Sequence, residues 1–226
     1  MKRQDPKGKQ ASGSAEATRM ALITAGLSLF GRKGFDATST REIAAAANAN
    51  IGSIAYHFGG KDGLREACAR HVVDTIRAVA GPAIGSDDPA LLSAREAQVR
   101  LEQGVDRMVR FIVGSPQAGE FVQFVLRELS VPGSAIDILY GGVFEPVHRR
   151  LCQLWERATG DPAESERTRI AVFTMIGQVV YFRIGREAVL RRMGWAAVGT
   201  EEAGKLAGVA LDNLKAALAA RREGNP

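Results

Sequence analysis

The stretch Ser39–Lys61 constrains the fold of this chain more than any other part of the sequence. Its residues, STREIAAAANANIGSIAYHFGGK, predict two short helices joined by a polar turn. Ser39 and Glu42 have the spacing of a capping box, so we expect the first helix to begin at Thr40. The segment Asn48–Asn50 then interrupts that helix, because asparagine favours turns over helix interiors.

The second helix of this pair is short. Asn50 can cap it, and the pattern predicts a helix from Ile51 to about His57. A helix of this length is marginal in isolation, so neighbouring elements must hold it in place. Two short helices joined by a tight turn match the DNA-binding helix-turn-helix, whose second helix enters the major groove. Taken alone, the stretch also fits an ordinary alanine-rich helical hairpin.

The flanking sequence favours the DNA-binding interpretation. Upstream, Leu22, Gly26 and Leu29 give an earlier helix one apolar face, and Gly34 stands at its expected end. Downstream, the motif YHFGGKDGL overlaps the end of the second helix. The segment ALITAGLSLFGRKGFDATSTREIAAAANANIGSIAYHFGGKDGL closely resembles the N-terminal domain of the TetR family of bacterial transcriptional regulators, over about residues 18–75.

Two residues depart from the family's usual pattern. Ala55 stands where the family usually has an aromatic residue, and Asn48 stands where it usually has a glycine. The resemblance implies an all-α fold with a three-helix helix-turn-helix domain for DNA binding. It also implies a larger helical bundle that binds a ligand and forms a dimer.

Composition and charge agree with a helical DNA-binding protein. Of the 226 residues, 46% are hydrophobic and 24% are charged, as in ordinary soluble proteins. Few segments alternate apolar and polar residues with the period of a strand. Residues 1–80 contain 12 Lys and Arg against 7 Asp and Glu, a net charge of +5, whereas residues 81–226 contain 18 of each. The excess positive charge therefore lies with the helix-turn-helix, where DNA phosphates would attract it.

Changes in composition divide the chain into three parts. Residues 1–15 are polar and basic, and we expect a disordered arm that could touch phosphates or a minor groove. Residues 16–80 are expected to form the DNA-binding domain, including the start of a fourth helix, and residues 81–226 the helical effector-binding and dimerisation domain. The Gly, Ser, Asp and Pro residues within Ala83–Pro89 favour a boundary there.

The remaining pattern is helical throughout. Gly81-Pro82 should end the fourth helix, and Gly141-Gly142 with Pro146 should kink or divide the seventh. The predicted helices cover about residues 18–33, 40–47, 51–57, 61–80, 89 or 94 to 113, 116–130, 135–158, 163–182, 186–193 and 201–222.

The sequence favours a cytoplasmic protein. Its first residues lack the apolar run of a signal peptide. The longest uncharged apolar stretch, Ile170–Phe182, is too short to span a bilayer as a helix. Cys68 and Cys152 lie in apolar-periodic stretches, and we expect both to be buried thiols and not a disulfide.

Position along the two short helices assigns candidate roles in DNA binding. The resemblance places Arg41 where some family members carry a base-reading arginine, although a solvated charge on the helix face fits equally well. Residues at the start of a recognition helix meet base edges, where Ile51 could contact a thymine methyl and Gly52 would let the backbone approach closely. The candidates are Arg41, Asn50, Ile51, Gly52 and Ser53 for bases, and Thr40, Tyr56, His57 and Lys61 for phosphates.

The larger domain carries no catalytic signature, and we expect no enzymatic activity, cofactor or metal. His148 and Cys152 could supply two metal ligands, but structural zinc needs four. The segments FIVGSPQAGEFVQFVLRELS and YGGVFEPVHRRLCQLW resemble the C-terminal domain of the CerR-type branch of TetR-like regulators. This resemblance implies an effector cavity inside the bundle. The candidate ligand-binding residues are Arg110, Phe111, Phe124, Tyr140, His148, Trp155, Gln178 and Tyr181.

The last two long helices have features of a dimer interface. Ile170–Phe182 is apolar nearly all round and must be covered on more than one side. The final helix carries one stripe of small and apolar residues: Ala203, Leu206, Ala207, Ala210, Leu214, Ala217 and Leu218. The resemblance implies a homodimer made by two helices from each subunit, which would present two recognition helices to two half-sites. Packing within one chain is the alternative.

Together these patterns predict a ligand-responsive repressor that binds a near-palindromic operator in double-stranded DNA as a homodimer. An unknown small-molecule effector would favour a conformation that no longer matches the half-site spacing. Two alternatives stay open: a helical small-molecule-binding protein or enzyme that retains the small domain as a scaffold, and a non-specific DNA-packaging protein. No membrane contact is expected.

Overall fold

The computed structural model describes residues 6–131 and 133–223, and every regular element in these ranges is helical. The prediction of an all-α fold is confirmed. The α-helices are α1 (Pro6–Lys33), α2 (Thr40–Ala46), α3 (Gly52–Phe58), α4 (Lys61–Ile84), α5 (Ala94–Ile112), α6 (Gln117–Ser130), α7 (Ser134–Leu139), α8 (Glu145–Thr159), α9 (Glu166–Ile184), α10 (Arg186–Met193) and α11 (Thr200–Glu223). A 3-10 turn covers Pro89–Leu91, and a π-helical turn covers Tyr140–Phe144.

Helix α1 begins earlier than the sequence predicted. It starts at Pro6, whereas the apolar pattern indicated a start near Thr18, so residues 6–15 of the predicted disordered arm are helical. Proline is well suited to the first helical position, because its missing N–H would have no helical partner there. Residues 1–5 of the predicted arm lie outside the described residues.

Helix α4 passes through the proline that was expected to end it. Pro82 lies inside the helix, which continues to Ile84. Gly85 ends it instead, since its φ of +67° is left-handed and its N–H donates to the Gly81 carbonyl at 2.9 Å. The predicted division of the seventh helix is confirmed, because the π-helical turn separates α7 from α8.

The chain forms two compact units. The first contains the chain up to Val73 together with Gln123–Leu139, and the second contains Asp74–Val122 together with the chain from Tyr140 onward. The divisions therefore fall inside α4 and inside α6. The single boundary expected between residues 80 and 81 did not anticipate that the end of α6 and all of α7 group with the helix-turn-helix.

An apolar core holds the helices of the first unit together. Its largest fully buried side chains are Leu22, Ile23, Leu27 and Phe30 of α1, Ile43 of α2, Ile54 of α3, Leu64 of α4, Phe124 of α6 and Leu139 of α7. Cys68 of α4 reaches this core, with its Sγ 3.5 Å from the Ile23 carbonyl oxygen. Burial raises the pKa of the Cys68 thiol, which keeps the sulfur protonated and unreactive.

The second unit has its own core, built by α5, α8, α9 and α11. Its buried side chains include Leu101, Val105, Val109, Leu154, Trp155, Val172, Val179, Leu206, Ala207, Ala210, Leu214 and Leu218. Most of the small-residue stripe of α11 therefore packs inside its own chain. The expectation that this stripe faces a second subunit is wrong, because α5, α8 and α9 already cover it.

Among the described residues, no helix combines the length and the apolar character that a membrane span requires.

Gly26 provides a test of the packing between α1 and α4. A Cβ added at Gly26 would lie 2.9 Å from Cys68 Sγ, closer than side chains tolerate. We expect Gly26→Ala to lower the free energy of unfolding by about 1 kcal/mol, because overpacking outweighs the gain in helix propensity. The measurement is urea unfolding followed by circular dichroism.

The matched control is Gly204→Ala in α11, where no atom lies within 4 Å of the added Cβ. This variant should gain about 0.5 to 1 kcal/mol from helix propensity alone. Equal gains for both variants would show that α1 and α4 are not in close contact at Gly26.

Candidate nucleic-acid interface and ligand-binding residues

The start of α2 is fixed by hydrogen bonds that are local in sequence. The Glu42 N–H donates to Ser39 Oγ at 3.2 Å, and the Ser39 N–H donates to Glu42 Oε2 at 2.9 Å, which confirms the capping box. Lys33, at the end of α1, donates from Nζ to Glu42 Oε1 at 2.6 Å. The end of α1 is thus tied to the start of α2, where Thr40 and Arg41 lie.

The same contacts determine the ionisation of Glu42. The hydrogen bond from Lys33, followed by those from the Ser39 backbone and hydroxyl, lowers the pKa of the Glu42 carboxyl to about 2. The carboxylate stays charged at neutral pH and is paired with an ammonium group. Its negative charge is therefore balanced by the Lys33 ammonium.

The turn between α2 and α3 depends on two asparagines. Asn48 has a φ of +50°, and it is the only residue other than glycine with a positive φ in the described ranges. Asparagine tolerates this left-handed conformation, which explains how it can stand where the family usually has glycine. Asn50 Oδ1 accepts from the Gly52 N–H at 2.8 Å, so α3 begins at Gly52, one residue later than predicted.

Helix α3 buries one side and exposes the other. Ile54 is its buried residue, at 2% exposure. Tyr56 on the outward side is 82% exposed, and Ile51, just before the helix, is 49% exposed. Gly59, with a φ of +75°, ends the helix. An apolar and an aromatic side chain held in water at this exposure are typical of a contact surface.

All nine candidate DNA contacts lie in the first unit, and none is buried in its core. The exposed ones are Arg41, Asn50, Ile51, Gly52 and Tyr56, and the half-buried ones are Thr40, Ser53, His57 and Lys61. The Tyr56 and His57 rings meet edge to face, with centroids 4.9 Å apart. The structure thus leaves the complete candidate set accessible to DNA, and its role in binding stays a prediction.

Sequence reasoning missed two residues that support this set. Lys33 pairs with Glu42, as described above. The Phe35 ring lies beneath the Lys61 ammonium, with Nζ 4.2 Å from the ring centroid. Both residues are next to Gly34, which marks the end of α1 in the sequence. That glycine predicts where the helix ends, but no spacing rule predicts which residues Lys33 and Phe35 contact.

The eight candidate ligand-binding residues have diverse environments. Phe124 is buried in the first unit, whereas the other seven belong to the second. Arg110 is exposed and pairs with Asp106 at 2.8 Å. Tyr140 and Tyr181 are 57% and 58% exposed. Of the eight, these three are therefore surface side chains in this structure.

The remaining candidates lie deeper in the second unit. Trp155 is 2% exposed and lines an open groove of about 660 Å³ bordered by residues of α9 and α11. Among the described atoms, its Nε1 is buried without a hydrogen-bond partner. Gln178 accepts from Asn213 at 3.0 Å, and Phe111 packs near Phe121 with ring centroids 6.2 Å apart. Of the eight candidates, only Trp155 lines this groove. The binding of a ligand by the candidate residues stays a prediction.

His148 and Cys152 do not assemble a metal site with other residues. The His148 ring stacks on Phe173 at 3.9 Å, its Nε2 lies 3.1 Å from the Arg169 carbonyl oxygen, and Cys152 Sγ lies 3.7 Å from Nδ1. Burial raises the pKa of the Cys152 thiol to about 11. Within the described ranges, no three His, Cys, Asp or Glu side chains are grouped for metal binding.

The low pKa of Glu42 gives a direct test of the contacts at the start of α2. Because the folded pKa lies below the ordinary value of 4.5, the pairing stabilises the fold above that pH and is lost as the pH falls towards about 2. A carboxyl NMR titration should give a pKa of about 2 in the unmodified protein. In Lys33→Met the pKa should rise towards its ordinary value. A wild-type pKa that Lys33→Met leaves unchanged would contradict the pairing.

Comparisons with known protein families match both parts of the chain. A model described as bacterial regulatory proteins, tetR family, matches residues 22–68. A second, described as the C-terminal domain of the HTH-type transcriptional dual regulator CecR, matches residues 97–221. The C-terminal domain, which was expected to resemble a CerR-type branch, therefore belongs to the CecR branch.

Two curated relatives extend this result. The HTH-type transcriptional dual regulator CecR of Shigella flexneri is 32% identical over 190 residues, which cover 83% of this chain and 85% of that protein. The HTH-type transcriptional regulatory protein RaaS of Mycobacterium tuberculosis is 36% identical over 107 residues, which cover 47% of this chain and 49% of that protein.

Solved structures show the same fold at low sequence identity. AibR, in complex with isovaleryl coenzyme A and operator DNA, has a TM-score of 0.63 at 15% identity, covering 86% of this chain and 96% of that one. A transcriptional regulator from Pseudomonas aeruginosa PAO1 has a TM-score of 0.60 at 18% identity, covering 97% of both chains. From the two family matches and the relationship to CecR, the chain belongs to the TetR family of transcriptional regulators and is a DNA-binding regulator of the CecR type.

Proposed function

We propose that this regulator is a ligand-responsive repressor that binds a near-palindromic operator as a homodimer in the cytoplasm. The observation that carries the proposal is the outward surface around α3, where Tyr56 and the preceding residue Ile51 are exposed while Ile54 holds the helix to the core. A helix presented in this way can enter a major groove with its first residues against the base edges. Asn50 to Ser53 would then read sequence, and Lys61 would fix the register on phosphates.

The dimer part of the proposal rests on one face of α9. Ile170, Phe173, Tyr181 and Ile184 are 54% to 61% exposed and recur at helical spacing. Val209 of α11 is 60% exposed. An apolar stripe of this kind on a helix is usually covered by a partner, and a second copy of the chain would cover it symmetrically. The predicted interface of the last two long helices therefore uses the outward faces of α9 and α11.

The effector part of the proposal rests on the second unit. AibR, which shares the fold, was crystallised with both isovaleryl coenzyme A and operator DNA. We propose that this chain likewise binds a small molecule in a mostly apolar site, with polar groups from the candidate residues of the second unit other than Tyr181, which the dimer face uses. To release nearly all bound protein, the effector must prefer the released state by about 5.5 kcal/mol.

The DNA contacts are tested by substituting Lys61 and Arg41. Lys61→Ala should weaken binding to operator and random duplex by similar factors and reduce the slope of log K against log salt by about one, because one phosphate contact is lost. Arg41→Ala should instead relax the preference at one base position, with a cost of about 1 to 3 kcal/mol on the operator. Fluorescence anisotropy at several salt concentrations measures both effects.

Lys205→Ala is the matched control for charge, since Lys205 lies in α11 and pairs with Glu201 at 2.7 Å. It should leave DNA binding unchanged. If Arg41→Ala weakened operator and random duplex equally, its assignment as a base-reading residue would be wrong.

The homodimer is tested by placing a charge on the exposed stripe of α9. Phe173→Glu should convert the dimer into a monomer and weaken operator binding by at least about tenfold, because two linked half-sites are no longer occupied together. Sedimentation equilibrium gives the oligomeric state. Leu91→Glu is the control, since Leu91 is 81% exposed and lies outside the stripe. A wild-type monomer that still bound a palindromic operator tightly would contradict the proposal.

A further inference from the structure

We propose that Glu128 is a positioning residue for DNA binding, which acts through Arg65 and Phe35 on Lys61. This inference rests on the proposed phosphate contact of Lys61. Glu128 lies at the end of α6, in a segment that the sequence assigned to the effector domain, yet the structure groups it with the helix-turn-helix. The residue itself is only 1% exposed, which is unusual for a carboxylate and requires a specific partner.

That partner is Arg65 of α4, one helical turn after Lys61. Arg65 Nε donates to Glu128 Oε1 at 2.9 Å, and Arg65 Nη2 donates to Oε2 at 2.6 Å. The side chains of Arg65 and Glu128 are 12% and 2% exposed. A paired fork of this kind fixes the plane of the guanidinium, because both oxygens and both nitrogens must stay aligned.

The fixed guanidinium in turn contacts one face of Phe35, a ring that also packs against Phe30 with centroids 5.6 Å apart. Arg65 Cζ lies 4.6 Å from the centroid of the Phe35 ring, and Lys61 Nζ lies 4.2 Å from the same centroid. Both cations therefore contact one aromatic ring in the connection between α1 and α2. A ring held by Arg65 limits the positions that the long, flexible Lys61 side chain can adopt.

Other contacts of α6 keep Glu128 in this position. Arg127 Nη2 donates to the Arg32 carbonyl oxygen at 3.3 Å. A Cβ added at Gly31 would lie 3.0 Å from the Phe124 backbone nitrogen, so α6 approaches α1 closely at that point. The end of α6 is thus a structural part of the DNA-binding unit, and it places one carboxylate behind the residues that face DNA.

The chain of contacts that leads from Glu128 through Arg65 and Phe35 to Lys61 can be tested by substitution. Glu128→Gln keeps the shape of the side chain and one acceptor for Arg65 but removes the charge. We expect it to weaken binding to an operator duplex by about three- to tenfold and to lower the salt slope by up to about one, as loss of the Lys61 phosphate contact would. The duplex is selected from a random pool by the wild-type dimer, and anisotropy gives the affinities.

The double variant Glu128→Gln with Lys61→Ala separates positioning from general destabilisation. If Glu128 acts through Lys61, the double variant binds within a factor of about two of Lys61→Ala alone. If the two losses multiply, the proposal is overturned, because Glu128 then affects binding by another route. Asp137→Asn removes the same charge from an exposed position of α7 and should leave the affinity unchanged.

Phe35→Leu keeps the ion pair intact and provides a second route to the same test. It should also weaken binding and should also be non-additive with Lys61→Ala, whether or not Glu128→Gln folds. Full affinity in Phe35→Leu would overturn the proposal. A wild-type protein that selects no duplex from the pool would instead refute the proposed function, so the two failures are distinguishable.

Discussion

The presentation of α3 depends on the burial of one side chain, Ile54. A helix of seven residues does not stay folded by itself in water. Burying an isoleucine contributes about 1.5 to 3 kcal/mol, and Ile54 is the buried residue that α3 supplies to the core. Tyr56, two residues further along the helix and on its opposite side, stays exposed. One apolar anchor and the exposed residues Asn50, Ile51 and Tyr56 are the arrangement that the proposed recognition role requires.

Two acidic side chains near the candidate interface form ion pairs within the chain. Glu42 is held by Lys33 at 2.6 Å, and Glu128 is held by Arg65 at 2.6 Å. An unpaired carboxylate in either place would repel phosphates or lose its hydration without compensation. Pairing leaves the net positive charge of residues 1–80 available to attract DNA. The Lys33–Glu42 pair also ties the end of α1 to the start of α2.

The sequence predicted the features that depend on neighbouring residues. The capping box at Ser39, the break at Asn48 and the interruption of the helix at Gly141-Gly142 are all local and are all found in the structure. The resemblance to the TetR family is what distinguished a helix-turn-helix from an ordinary helical hairpin. The prediction that Pro82 ends α4 was wrong. A proline this close to a helix end costs little, and Gly85 closes the helix three residues later.

Features that depend on distant residues were not predicted. Arg65 and Glu128 are 63 residues apart, and no spacing rule joins them. The prediction that the α11 stripe faces a second subunit was wrong for the same reason. Periodicity shows that a helix has an apolar face but not which element covers it. The candidate ligand residues are of the same types as those of any apolar core. Residue type therefore could not tell that Trp155 is a core residue and Tyr140 a surface residue.

Methyl NMR of the isoleucines tests the central claim most directly. Ile51 immediately precedes α3 and Ile54 lies within it, but the first is 49% exposed and the second 2%. When an operator duplex is added, the Ile51 methyl should shift strongly and show contacts to DNA protons, whereas Ile54 should keep its contacts to the protein core. An Ile51 methyl that is unaffected while signals elsewhere shift would show that α3 does not read DNA.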